Sequence, residues 1–220
     1  GDIDVAFYVW VKETPDFANK WFNFIKKYKK HILKYEIYES VDMIHYPMKF
    51  LVERPKQEEI IIGRKSKINY DKTDYKILKK VTENARTPIT EIAQYIKLTP
   101  KATIYRLRNL EKKNIILGYY TLINTDKLGL VFYKIDFYLS NMLHLKEMEA
   151  YAKQHKNIIY RMRTIGGPDF EIEVLVKNVI EMKSIINDIR NKFPNTIHHY
   201  RFHRFDYTIK QIYLPGEIIK

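Results

Sequence analysis

The chain has no cysteine among its 220 residues. That excludes a disulfide framework, a thiolate nucleophile and any cysteine-ligated zinc or iron–sulfur centre. No apolar run approaches the roughly 18–20 residues needed to span a bilayer, and no signal-peptide pattern opens the sequence. A glycine-rich phosphate loop is also missing, because Gly166-Gly167 lies between predicted strands and precedes no helix. No serine, histidine and carboxylate fall into a nucleophile arrangement. What is there is a globular composition, 45% hydrophobic and 14% aromatic, with Lys+Arg 39 against Asp+Glu 26 and a net charge of +13. The sum says only that an anionic partner is attracted; the distribution says where. Residues 1–70 carry 13 basic and 10 acidic side chains, residues 71–120 carry 11 and 5, and residues 121–220 carry 15 and 11. The middle segment holds nearly half the excess, which places a polyanion-binding surface there.

An internal repeat organises the rest. Shifting the chain by 165 lays residues 4–49 on 169–214 without a gap, with 8 identities in 46 positions and matching apolar patterns. Each copy reads as strand–helix–strand. In the first, Val5, Phe7, Val9 and Val11 alternate as a strand, Thr14-Pro15-Asp16 opens a helix, and Phe17, Trp21, Phe24, Ile25 and Tyr28 form its apolar stripe. A second strand is expected from about Ile32 to Phe50. In the second copy Met182, Ile185, Ile186, Ile189 and Phe193 are the stripe, and a further strand–helix–strand at 131–165 precedes it. Residues 130–214 therefore read β-α-β-β-α-β, a ferredoxin-like arrangement, of which 1–52 repeats the second half. Residues 53–70, with Arg54-Pro55 and Gly63-Arg64-Lys65-Ser66-Lys67, read as a basic linker. The strand at 5–11 is apolar on both faces, so its second face needs a partner sheet; in the other copy Glu171 and Glu173 interrupt that face, so the surface meeting it must be more polar.

Residues 71–124 read as three short helices and a wing. Asp71 with Asp74 forms a capping box ahead of Tyr75, Ile77, Leu78 and Val81. A second helix from Thr87-Pro88 buries Ile89, Ile92, Ala93 and Ile96. Leu98-Thr99-Pro100 turns into a third, whose core face is Thr103, Ile104, Leu107 and Leu110. Ile115–Asn124, with Gly118 inside, is β-rich enough for a wing hairpin. This is winged helix-turn-helix order. The face of the third helix opposite its core stripe holds Lys101, Ala102, Tyr105, Arg108, Asn109 and Lys112, with Arg106 on the flank. Such residues reach base edges and phosphates in a major groove, so these seven are the candidate contacts to double-stranded DNA.

Asp71-Lys-Thr-Asp-Tyr-Lys-Ile-Leu78, Asn84-Ala-Arg86, Leu98-Thr-Pro100, Arg106-Leu-Arg-Asn-Leu-Glu111, Ile115-Ile-Leu-Gly-Tyr119 and Leu128-Gly129 resemble the Lrp/AsnC (feast/famine) regulators. Gly166-Gly167-Pro168-Asp169 stands where that family has a Gly-x-x-Asp hairpin. Two departures are Lys97 and Asn114, at positions where glycine is usual. The resemblance implies an α+β protein in which a winged helix-turn-helix (71–124) is joined to a βαββαβ effector (RAM) domain (125–220). It implies a cytoplasmic transcription regulator that dimerises through its sheets and responds to a small effector, often an amino acid. On that reading Gly166, Gly167 and Asp169 are the candidate effector residues, and no cofactor or metal is expected. Because Gly1-Asp-Ile-Asp4 echoes the 166–169 hairpin, the chain is expected to be the C-terminal piece of a tandem-duplicated member. Its half-unit then packs on 130–214 as an intrachain pseudo-dimer, or pairs with another molecule as a homo-oligomer.

Two rival readings remain. On the same fold, a sirohaem decarboxylase would use Arg161, Arg163, His198 and His199 against a tetrapyrrole. A non-DNA-binding effector or assembly module would use the sheets alone. A metal site at His198, His199 and His203 is disfavoured: His198 and His199 point to opposite faces of a strand, and His199 and His203 lie about 13 Å apart at ~3.3 Å per residue. All three read as exposed strand histidines.

Overall fold

Proline and acid at the start of the first helix do what their chemistry requires. In the computed structural model, which describes residues 3–11, 13–52, 58–63, 69–206 and 214, α1 spans Thr14–Tyr28 with Pro15 in its first turn, and a short 3₁₀ turn follows at Lys29–His31. Two strands come next, β1 (Glu39–His45) and β2 (Ile60–Ile62). The middle segment folds as α2 (Lys72–Glu83), α3 (Ile89–Ile96) and α4 (Pro100–Lys112). The C-terminal unit is β3 (Val131–Leu139), α5 (Leu145–Gln154), β4 (Ile158–Ile165), β5 (Phe170–Val176), α6 (Val179–Lys192) and β6 (Ile197–Phe205).

One antiparallel sheet runs β2-β1-β4-β5-β3-β6. Its last four strands have the ferredoxin-like order, with α5 and α6 covering one face. Alternation sorts β5: Phe170, Ile172, Val174 and Val176 face Met148, Ala152, Met182, Ile185, Ile186 and Ile189 in the core. Glu171 and Glu173 take the opposite face. A separate core of Ile77, Leu78, Val81, Ile92, Ile96 and Leu110 holds α2, α3 and α4 together, with Leu107, Ile115, Ile116 and Leu214 packed against it. The third helix keeps Thr103 and Leu110 buried, but Ile104 is exposed, so its core stripe is narrower than the periodicity suggests.

Four sequence expectations change. First, residues 5–11 form no strand. Their counterpart β5 is held between β3 and β4, and the described chain offers no such pair of ladders beside Val5–Val11. Alternation alone does not supply hydrogen-bond partners. Second, the strand expected over 32–50 forms only at Glu39–His45 and joins the C-terminal unit by pairing with β4, for example His45 with Tyr160. Third, Ile115–Asn124 forms no hairpin; it runs without regular structure, Tyr119 Oη donating to Glu111 Oε1 at 2.8 Å and Gly118 lying against Ile60 of β2. Fourth, the supposed linker contributes β2; its Arg54-Pro55 and Arg64–Lys67 lie outside the described residues. Gly63 ends β2 at φ +99°, and a Cβ there would stand 2.8 Å from the Val41 carbonyl oxygen, so only glycine fits.

The two departures at turn positions take the shape their backbone demands. Lys97 ends α3 in the left-handed region (φ 59°, ψ 45°) and Asn114 follows α4 at φ 53°. Asparagine tolerates that conformation, whereas lysine carries a Cβ penalty of roughly 1 kcal/mol. Lys97→Gly is therefore expected to raise the melting temperature by a few degrees, read by calorimetry, and no gain would show that the turn is unstrained.

Candidate nucleic-acid interface

Thr99 caps α4 by accepting from the Ala102 N–H at 3.2 Å, and Asp71 and Asp74 form the reciprocal capping box on α2, at 2.8 and 3.2 Å. The middle of α4 meets the start of α2 through Arg106. One guanidinium nitrogen donates to Asp71 Oδ2 at 2.7 Å and to Asp74 Oδ1 at 2.8 Å. The Asp74 backbone N–H and then Arg106 hold the Asp71 carboxyl below its ordinary range. Arg106 is thus turned towards α2, not outward. Ala102 and Asn109, one turn to either side, are half-buried and line the same concavity with Asp71, Asp74 and Arg106, and Tyr105 also lines it while staying exposed. The outward stripe is Lys101, Tyr105, Arg108 and Lys112, all exposed, at spacings of four, three and four. The seven candidates therefore split into four exposed side chains and three half-buried ones, of which Arg106 is bonded to α2. The acids at Asp71 and Asp74, read in the sequence only as a cap, are the signal that marks Arg106 as a fastener.

The helix-turn-helix is joined to the sheet on one side. The His45 ring stacks on Tyr160 of β4 at 4.5 Å and meets Tyr120 edge-on at 4.8 Å. At the same sheet edge Arg161 donates to Asp42 Oδ1 at 2.7 Å and reaches Glu149 at 3.2 Å, while Arg163 Nε donates to Asp42 Oδ2 at 3.0 Å. Burial alone would raise the Asp42 carboxyl, but the two guanidinium groups outweigh it and hold it below the ordinary value. Arg161 and Arg163, on β4, are thus engaged by carboxylates of β1 and α5, while His198 and His199 sit on β6. Two strands lie between, roughly 14 Å at ~4.8 Å per strand, so the four groups do not converge on one ligand. His198 and His199 are exposed, but His203 is not: it is 6% exposed, its Nε2 3.5 Å from Asp136. Its placement corrects the reading of three surface histidines, because the sheet face it occupies is covered.

That cover comes from the N-terminal segment. Tyr8 Oη donates to Glu173 Oε1 at 3.2 Å, Lys134 Nζ donates to Tyr38 Oη at 2.9 Å, and Arg201 makes a two-pronged pair with Glu36 at 3.0 and 2.9 Å. Beneath lie Lys134, Asp136, Glu171 and Glu173, all nearly inaccessible. Lys134 bonds Asp136 at 2.6 Å and Glu171 at 3.1 Å. Desolvation prevails at both glutamates: Glu171 is raised to about 7 and Glu173 to about 8. At the hairpin, Gly166 adopts φ +79° and Gly167 lies under Tyr38, where a Cβ would meet the ring at 2.7 Å. Asp169 Oδ2 accepts from the Leu139 N–H at 2.8 Å. In this structure, then, the space beside Gly167 holds Tyr38 and the Asp169 carboxylate anchors the hairpin to β3.

Comparison with known proteins bears on the helix-turn-helix directly. Residues 70–116 match the family model described as winged helix-turn-helix DNA-binding. The proline dehydrogenase transcriptional activator of Rhodobacter capsulatus is 24% identical over 128 residues, covering 57% of this chain and 83% of that protein. The regulatory protein AsnC of Haemophilus influenzae is 26% identical over 122 residues, covering 54% and 79%. The regulator LrpA of Pyrococcus horikoshii is 44% identical over 59 residues, covering 27% and 42%. The solved structure of E. coli AsnC superposes with a TM-score of 0.59 at 18% identity, covering 67% of this chain and 99% of that one, which shows a shared fold. Among the described residues no helix is long and apolar enough to cross a membrane. With its capped helix-turn-helix, its antiparallel sheet and these relatives, the chain carries a winged helix-turn-helix DNA-binding domain and is similar to the HTH-type transcriptional regulators of the Lrp/AsnC type.

Proposed function

We propose that the protein reads its operator through the outward stripe of α4, Lys101, Tyr105, Arg108 and Lys112, while Arg106 fixes the angle of that helix on α2. The supporting observation is the split of the basic side chains on one helix: Arg106 is paired with two carboxylates, whereas Arg108 stands exposed on the same stripe as Lys101 and Lys112, open to a groove. Phosphate contacts position the helix, and the Arg108 fork and Tyr105 hydroxyl read base edges. Mobility-shift titration on genomic fragments selected by the purified protein tests this. Arg108→Ala with Lys112→Ala is expected to flatten the log–log salt dependence by about 0.9 for each phosphate left without its cation. Arg106→Ala is expected to leave that slope largely in place and lower the melting temperature by a few degrees, since pairs of this exposure are worth about 1 kcal/mol. An unchanged slope in the Arg108/Lys112 variant would remove α4 as the reader.

A second reading concerns assembly. The N-terminal segment and the C-terminal unit act as an intrachain pseudo-dimer. Tyr8 contacts Glu173 and Glu36 contacts Arg201, and both pairs are 165 residues apart, the shift that superposes the sequence repeat. About a two-fold axis, residues near the axis meet their own counterparts. Two such self-equivalent contacts support a local two-fold between the copies. A small effector of the amino-acid type fits this regulator class, one structural neighbour being described as a complex with L-Met. At the Gly166–Asp169 hairpin such a ligand competes with Tyr38 for the room that Gly167 leaves.

A further inference from the structure

We infer that the basic segment closing α1, Lys26 to Lys34, is a second surface for duplex DNA, gripping phosphates outside the stretch that α4 reads; the inference rests on the DNA-binding reading above. From Phe17 to Tyr35 the chain has Lys20, Lys26, Lys27, Lys29, Lys30 and Lys34, together with His31, and no acid at all. Every one of these side chains is exposed. Lys34 pairs with Glu36 at 3.0 Å, but Lys26, Lys27 and Lys30 form no ion pair among the described residues. Lysines in a last helical turn are favoured by the helix dipole, so the repeat serves as the control. The positions matching Lys26, Lys27, Lys29, Lys30, His31 and Lys34 in the other copy are Asn191, Lys192, Pro194, Asn195, Thr196 and His199. There the helix end carries Arg190 and Lys192, as α1 carries Lys26 and Lys27, but the turn that follows, Pro194 to His199, holds no lysine where the first copy has Lys29, Lys30 and Lys34. The fold does not need these, and like charges this dense repel one another unless an anion neutralises them.

The chemistry favours nucleic acid over a lipid surface. A membrane-lying helix offers its aromatic face to the acyl boundary, whereas here Trp21 and Phe24 are engaged within the segment: Trp21 meets Tyr35 at 4.8 Å, and Phe24 meets Phe7 at 5.9 Å and Tyr28 at 5.0 Å. Lysine ammonium groups without arginine forks suit sequence-independent phosphate contact.

The test uses the full chain, a duplex bound by the parent, and a salt series. Lys26→Gln, Lys27→Gln and Lys30→Gln combined are expected to reduce the log–log slope by up to about 3, at about 0.9 per phosphate, and Arg at the same three positions to restore it. A parental slope in the Gln variant, beside a flattened slope in the Arg108/Lys112 variant, overturns the inference and leaves the α4 reading standing. No salt-dependent duplex binding by the parent removes both. Loss of binding to phosphatidylserine vesicles in the Gln variant, with duplex binding unchanged, also overturns it, in favour of a lipid surface.

Discussion

Asp42→Ala is expected to lower stability by about 3 kcal/mol, because removing one member of a buried ion pair leaves the other charge uncompensated. Asp42 is 7% exposed and Arg161 is 5% exposed, and Asp42 also carries Arg163. The loss stays near the lower end of such cases since Glu149 still reaches Arg161 at 3.2 Å. For a chain of this length that is a drop of roughly 6–12 °C in melting temperature by calorimetry or circular dichroism. Asp42→Asn should fall between, keeping hydrogen-bond acceptors but losing the charge. The effect reaches further than the pair, because Asp42 lies on β1, the strand that ties the first fifty residues to the edge of the C-terminal unit. A melting temperature within a degree or two of the parent would mean that β1 is not held there by Asp42.

The second large effect is a pH dependence whose sign is set by the covered glutamates. Glu173 is held in its neutral form up to about pH 8 by desolvation and by the nearby Glu171 charge. Tyr8 and Tyr38 face this cluster from the N-terminal segment, Lys134 and Asp136 from β3, Tyr160 from β4 and His203 from β6. A carboxyl whose folded value is raised keeps its proton where the unfolded chain has released it. Stability is therefore highest near and below pH 4.5 on this account, falls as pH rises towards 8, and flattens above. Each unit of elevation removes about 1.4 kcal/mol at the basic end. Glu173→Gln, a neutral isostere that still accepts from Tyr8, should match the parent near pH 4 and melt several degrees higher at pH 8. Equal melting at both values would show that water reaches the cluster and that the cover is loose.

Periodicity and caps made most of the helices legible. The Asp71/Asp74 box, Pro15 and Pro100 in first turns, and the apolar stripes of α2, α3 and α6 are local features, and each helix closes its own hydrogen bonds. Strands are different, since a strand needs a neighbour. Val5–Val11 has the alternation of its counterpart β5 but no ladder, and Ile115–Asn124 has β-rich residues but no pairing. The candidate interface shows the same division. Residue types placed Lys101, Arg108 and Lys112 on an open face, and only the approach of α2 turned Arg106 away from it.

The sequence by itself determined the helix-turn-helix, the βαββαβ order, the repeat offset of 165 and the concentration of positive charge at 71–120 and along α1. All of these follow from side-chain spacing within short windows. Tertiary structure alone decided that β1 extends the sheet through β4 and that Leu214 returns to the core of the helix-turn-helix. It also decided that Glu171, Glu173 and His203 are buried under Tyr8, Glu36 and Tyr38. Alternation assigns a side chain to a face of a strand, but whether that face meets water or another segment depends on chain that is distant in sequence, and burial is what moves a carboxyl's proton affinity.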